Sequence, residues 1–198
     1  WLRPGDARVV YETLGCVLII GTWNYPFMLT MLPLISALAA GNTAVLKPSE
    51  FSPATSQLIA KLVEQVFPSE VVRVLQGDGS FTQGLISQQF DHIFFTGGGA
   101  IGKKVMAAAA KHLTPVTLEL GGKSPAIVIE GANLEVTARR IVWGKMLNAG
   151  QTCIAPNHLI VQQQLKEPLI KAMKIELKKF YGSNALQSPH LAQIINEN

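Results

Sequence analysis

Only two cysteines occur among the 198 residues, Cys16 and Cys153. Cys16 lies inside the apolar run GCVLIIG, which reads as a buried strand. No disulfide is therefore expected between them, and a reducing compartment such as the cytoplasm is the simpler reading. His92, His112, His158 and His190 share no CxxC or HxxxH spacing, so no metal site is expected. Charge is also sparse: charged residues make up 15% of the chain, and the net +4 comes from scattered Lys and Arg. The densest basic run, KAMKIELKKF, lacks interleaved aromatics and reads as a solvated helix face, which excludes a nucleic-acid partner. The most apolar stretch, PFMLTMLPLISALAAG from Pro26, is broken by Thr, Pro and Ser. It is shorter than the roughly 20 residues that cross a bilayer and reads as a buried helix. No basic start, apolar core and small-residue cleavage site mark a secretory leader. The chain opens mid-phrase on Trp1 without an initiator Met, which predicts a piece of a longer protein.

What is present is a globular composition, 48% hydrophobic, enough for one domain or two small ones. Short β-branched runs alternate with helical periodicity, the pattern of a mainly parallel α/β sheet. The strands are CVLIIG, TAVLKP, VVRVLQ, HIFFTG, VTLELG, AIVIE and HLIVQ. The helices are residues 30–40, 53–66, a short piece after Ser80, 101–111, 134–147 and 164–181. Ser52 followed by Pro53 predicts an N-cap with Pro at the first helical position, and Gly41 predicts a left-handed stop. Thr30 as cap would leave Pro33 in a first turn, where its missing N–H does no harm. Gly121, Gly122 and Pro125 after a strand predict a boundary, giving domains 1–120 and 121–198, although the two glycines equally fit a turn within one domain.

Several segments carry chemistry. FTGGGAIGKK runs from a strand through Gly97, Gly98, Gly99 and Gly102 into a helix, where backbone N–H groups and the helix dipole can hold a pyrophosphate. It is not a Walker loop, and a tight turn without a ligand fits equally well. In LKPSE, Lys47 and Glu50 at a strand end suit a ribose diol or a plain surface ion pair. Cys153, in NAGQTCIAP, can be a nucleophile or a structural thiol. Two polar residues at apolar strand ends accompany it: Asn24 in GTWNYPF and Glu119 in VTLELGG. Burial of Glu119 would raise its basicity, as a general base requires.

GTWNYPF, LKPSE, FTGGGAIG, LELGGKSP and NAGQTCIAP, in that order, resemble the aldehyde dehydrogenase superfamily. WNYPF, HLTPVTLELGGKSP and SPHLAQIIN are most similar to its class 3 and fatty aldehyde dehydrogenase branch. The resemblance implies a Rossmann-like cofactor-binding domain with a parallel sheet, followed by the start of an α/β catalytic domain. Residues 1 to about 12 would fall near an oligomerisation arm.

It further implies that Cys153 is the nucleophile, Glu119 the general base and Asn24 the oxyanion donor. Trp23, Lys47, Ser49, Glu50, Gly77, Gly97, Gly98, Gly99, Ile101, Gly102 and Leu120 would contact the cofactor. That cofactor is NAD first, because Glu50 repels a 2′-phosphate, with NADP possible. The substrate is an aldehyde, the parent a homodimer or homotetramer, and any membrane anchor of the parent lies outside this chain. Two departures from the family pattern stand out. Gly98 replaces a residue that often bears a hydroxyl, and the later Glu-x-Phe-Gly-Pro motif is absent, so the chain alone is expected to be incomplete. The rival readings are a dinucleotide-binding module without chemistry, a cysteine acyl-transfer enzyme pairing Cys153 with His158, and a family member acting on phosphorylated or CoA-linked substrates.

Overall fold

A computed structural model describes residue 5 and residues 7–197. Residues 1–4 and 6, part of the expected arm, lie outside the described residues. The chain forms two compact units that divide between Glu119 and Leu120.

In the first unit β1 (Cys16–Ile20), α1 (Met28–Ala39), β2 (Thr43–Lys47), α2 (Pro53–Val66), β3 (Val72–Val74), α3 (Gly79–Ile86), β4 (His92–Gly97), α4 (Gly99–Ala109) and β5 (Val116–Leu120) follow in order. They build one five-stranded sheet ordered β3-β2-β1-β4-β5. β1 runs parallel to β2 and to β4, and β2 parallel to β3. At the other edge Ile93 N–H donates to Pro115 O and the His92 ring meets Thr117, so β4 and β5 start at the same end and run alike.

The period-two alternation of β1 sorts its side chains onto two faces. Val17 and Ile19 join Ala44, Leu46, Val72, Leu34 of α1 and Ile59 and Val63 of α2. Leu18 and Ile20 join Ile93, Phe95, Ile86 of α3 and Val105 and Ala109 of α4. Both faces of β1 are thus buried, which is why CVLII is a continuous apolar run.

The start of β1 is fixed by polar groups. Asn42, itself buried, accepts from Leu14 N–H at 2.7 Å and Gly15 N–H at 3.0 Å and donates to Ala37 O at 3.0 Å. Gly41 sits at φ +83°, and its N–H and that of Asn42 bond Leu38 O and Ala37 O, the paired bonds of a Schellman stop.

Three local expectations are corrected. α1 begins at Met28, not at Thr30, because Leu29 N–H already bonds Tyr25 O. Thr30 turns its hydroxyl back to Pro26 O, and Pro33 lies inside the helix. Nor is α1 a buried helix: only Thr30 and Leu34 are fully covered, while Phe27, Met28, Leu32 and Ile35 are exposed, since the helix lies on one sheet face. Ser52 does precede Pro53 at the start of α2, but its hydroxyl bonds Ser49 O rather than capping.

The second unit has β6 (Pro125–Val128), α5 (Leu134–Met146), β7 (His158–Val161) and α6 (Lys166–Tyr181), with β6 and β7 parallel. Val128, Ala138, Ile141 and Leu169 form its core. Within the KAMKIELKKF face, Glu176 is only 2% exposed. It receives Lys179 at 2.6 Å and Arg139 of α5 at 3.3 Å, tying the two helices together. The Lys179 hydrogen bond first, and Arg139 after it, hold the Glu176 carboxyl below its ordinary value. No described helix is long and apolar enough to cross a membrane.

Asn42→Ala leaves the Leu14 and Gly15 N–H groups at the head of β1 without their acceptor and is expected to cost about 2 kcal/mol in urea unfolding; a change below about 0.5 kcal/mol would contradict that role. Acid should weaken the fold through two groups. Burial pushes His92 below its ordinary 6.5, so the unfolded chain takes up a proton first, and stability falls as pH drops below about 6.5. Glu176, with a depressed value, contributes stability above its ordinary 4.5 that is lost as pH falls through its lowered folded value. His92→Gln should flatten the upper part of this decline and Glu176→Gln the lower part, measured as melting temperature against pH.

Candidate active site

The strand order reverses between β1 and β4, so the crevice beyond their carboxyl ends is the position where open α/β sheets bind ligands. Of the candidate residues, those of the first unit lie at or just beyond this edge. Trp23 and Asn24, half-buried, follow β1; Lys47, Ser49 and Glu50 end or follow β2; Gly77 follows β3; Gly97 to Gly102 end β4 and open α4; Glu119 lies at the end of β5.

The Trp23–Asn24 loop is set by a close approach. A Cβ on Gly21 would collide with the hydroxyl of Thr30, the buried residue whose bond to Pro26 O closes the first turn of α1. The glycine therefore lets α1 start directly over the end of β1, with Trp23 and Asn24 in the short span between them.

Lys47 is not on the surface. Its side chain is 3% exposed and its Nζ lies 2.6 Å from Glu50 Oε2, on a side chain 34% exposed. A buried ammonium needs such a partner, and the pair presents its carboxylate outward at the sheet edge. Ser49 is also buried. Its Oγ accepts Phe51 N–H, and its carbonyl receives the Ser56 hydroxyl at 2.7 Å, so it shapes the turn that carries Glu50. Gly77 makes room for the Phe81 ring, in a turn where Asp78 caps α3 by accepting Phe81 N–H. That bond, with the Ser80 hydroxyl, holds the Asp78 carboxyl below its usual value.

In the β4–α4 turn the glycines divide by role. A Cβ on Gly97 would strike the Phe95 ring, and Gly102 is buried in the stripe of α4 that carries Val105 and Ala109. Gly98 and Gly99 have no such neighbour within 4 Å, and the φ of Gly98 is an ordinary −77°. Neither backbone strain nor packing thus calls for glycine at 98. What both glycines provide is open space in front of the first turn of α4, whose leading N–H groups have no side-chain cap. That open cradle fits a dinucleotide pyrophosphate. Ile101, on the same first turn, is exposed.

Glu119 differs from expectation: it is exposed, because it lies near the end of edge strand β5. Leu120 beside it is partly exposed.

In the second unit, Cys153 is a free, exposed thiol. It follows a left-handed turn in which Asn148 (φ 52°), Ala149 (φ 54°) and Gly150 (φ 79°) are consecutive, and Gln151 N–H closes on Asn148 O. Each non-glycine residue held so costs about 1–2 kcal/mol. A Cβ on Gly150 would press on Lys145 O of α5, so the turn is packed against the end of that helix. Cys153 and Ile154 then occupy the centre of a second turn closed by Ala155 N–H on Thr152 O. Gly122 lies against the carbonyl of Cys153, and Asn157 N–H bonds Ser124 O, so GGKSP and QTCIAP are neighbours. Cys16 is also a free thiol, at the head of β1 and away from the ligand edge. Among the described residues no group of three His, Cys, Asp or Glu side chains could hold a metal.

Known proteins resemble this chain along nearly its whole length. The model of the aldehyde dehydrogenase family fits residues 4–198. Aldehyde dehydrogenase family 3 member H1 of Arabidopsis thaliana is 50% identical over 98% of this chain and 40% of its own length. The dimeric NADP-preferring aldehyde dehydrogenase of Mus musculus is 48% identical over 98% of this chain and 43% of its own. The substrate-bound state of Staphylococcus aureus AldH superimposes with a TM-score of 0.90 at 48% identity, covering 93% of this chain and 40% of that one. A Mycobacterium tuberculosis aldehyde dehydrogenase complexed with NAD+ gives 0.85 at 32% identity, over 94% and 39%. This chain thus spans about two-fifths of the length of these relatives. The chain belongs to the aldehyde dehydrogenase family.

Proposed function

We propose that the complete protein oxidises an aldehyde to a carboxylic acid, with a nicotinamide dinucleotide as oxidant and Cys153 as nucleophile. The observation that carries this reading is the coincidence of an open, uncapped helix start at Gly98–Gly99 with the Lys47–Glu50 pair on the same sheet edge. A cysteine hydrolase needs neither. The open turn at Gly98 and Gly99, shaped by Gly97 and Gly102 and flanked by Ile101, would hold the pyrophosphate, and Lys47 and Glu50 the adenosine ribose, beside Trp23, Ser49, Gly77 and Leu120. Bound there, the oxidised nicotinamide supplies the hydride acceptor.

Each other role falls to a side chain. The Cys153 thiolate adds to the carbonyl carbon, and the oxyanion that forms accepts a hydrogen bond from the Asn24 amide. As the oxyanion collapses, the carbon loses hydride and a thioester remains on Cys153. Glu119 takes a proton from water, which attacks the thioester; the acid departs and the thiolate returns. The exposed thiol and its turn support the first step. The relatives' names support both cofactors, one structure being complexed with NAD+ and one relative being called NADP-preferring. We assign the parent protein to the cytoplasm and to a homodimer or homotetramer, the compartment on the strength of the two free thiols.

In the complete protein, Cys153→Ala should abolish aldehyde-dependent reduction of the dinucleotide, followed at 340 nm. Asn24→Ala should lower kcat by roughly 10²–10³-fold, the usual effect of losing one oxyanion donor. Substantial turnover by the cysteine variant would overturn the mechanism. Glu50→Gln should raise kcat/KM with NADP relative to NAD, because it removes the charge that repels a 2′-phosphate; an unchanged ratio would remove Glu50 from the ribose site.

A further inference from the structure

Gln151, two residues before Cys153, has a side chain that works in two directions. Its Nε2 donates to Asn148 O at 3.0 Å, adding a second donor to the carbonyl that the Gln151 N–H already meets at 3.1 Å. The same Nε2 donates to Gln193 O at 3.2 Å, and Oε1 accepts Ile195 N–H at 3.0 Å. One amide therefore closes the left-handed turn of Asn148, Ala149 and Gly150 and pairs, like a short strand, with the backbone of residues 193–195.

The turn needs such support. Left-handed backbone at Asn148 and Ala149 persists only where its surroundings over-determine it. Gly150 packs on the end of α5, the amide bonds Asn148 O, and the turn holding Cys153 begins at Thr152. Any relaxation of the left-handed turn therefore passes directly into the direction in which the thiol is presented.

We infer that Gln151 is a positioning residue for Cys153, clasping the nucleophile's loop to the backbone of Gln193 and Ile195 so that the thiol is aimed at the substrate carbonyl. The inference rests on Cys153 being the nucleophile. Because the clasp meets the tail at backbone groups, its tail side is the peptide N–H of Ile195 and not the Ile195 side chain. Loss of that N–H should thus reproduce loss of the Gln151 amide from 44 positions away.

The test uses the complete protein and four variants, Gln151→Ala, Gln151→Glu, Ile195→Pro and Ile195→Ala. Pre-steady-state formation of reduced dinucleotide gives the acylation rate. Iodoacetamide labelling resolved by peptide gives the accessibility of Cys153, with Cys16 in β1 reporting on general unfolding. Gln151→Ala and Ile195→Pro should each slow acylation at least tenfold, with KM for the dinucleotide within about twofold. Cys153 alkylation should stay within about threefold, since a small reagent needs access and not aim, and the half-buried Cys16 should label at its wild-type rate. Gln151→Glu keeps an acceptor for Ile195 N–H and should recover part of the loss; Ile195→Ala keeps the N–H and should behave as wild type. The double variant Gln151→Ala with Ile195→Pro should be no slower than either alone.

Acylation unchanged in Gln151→Ala, or slowed only in step with Cys16 labelling, would overturn the inference. So would a wild-type Ile195→Pro protein. Cys153→Ala run alongside separates the two readings: turnover without the thiol removes the proposed nucleophile, whereas a silent Cys153→Ala with a fully active Gln151→Ala removes only the clasp.

Discussion

The buried central strand β1 is the constraint on which the rest of the first unit depends. Parallel pairing on both sides, with its residues in register with β2 and β4, fixes the direction of those strands and so sends their carboxyl ends to one edge. Because its side chains are buried on both faces, a one-residue slip would exchange the partners of Val17 and Ile19 with those of Leu18 and Ile20. Asn42 and Asp91 secure its start, the latter by accepting Cys16 N–H at 2.7 Å. At its far end Gly21 admits α1 so closely that only a short loop remains, and that loop holds Trp23 and Asn24.

Chemistry at the ligand edge follows from backbone more than from side-chain clusters. The helix start at Gly98 and Gly99 has no side-chain cap and no Cβ atoms in front of it, which suits the proposed pyrophosphate site, and the Lys47–Glu50 pair lies on the same sheet edge. The cysteine loop follows the same economy in the second unit. Left-handed residues, a glycine against a helix carbonyl and one amide set the direction of the turn in which the thiol sits.

Much of this was legible in the residues. Strand and helix order followed from apolar runs two-sided in β1 and one-sided in α2, and Gly41 was readable as a left-handed stop because little else tolerates φ +83°. The start of α1 was not, since the choice between Thr30 as cap and Thr30 as an internal residue bonding Pro26 O depends on the approach of Gly21, a tertiary contact. Glu119 was expected to be buried from its apolar neighbours; the sheet order, which places β5 at an edge, is what exposes it. The burial of Glu176 in a lysine-rich helix face has no local signal, because its partner Arg139 is 37 positions away. Gln151 belongs to the NAGQTCIAP segment, but its reach to residues 193 and 195 has no local signal at all.

The central claim is that Cys153 carries the acyl group during oxidation. Its most direct test is peptide-resolved mass spectrometry of the complete protein with Glu119→Gln, quenched in acid after mixing with a simple aldehyde and oxidised dinucleotide. The account predicts an acyl adduct, sensitive to hydroxylamine, on the peptide holding Cys153, in a one-to-one ratio with the reduced dinucleotide of the first turnover. Reduced dinucleotide formed with Cys153 unmodified, or with the acyl group on another residue, would contradict it.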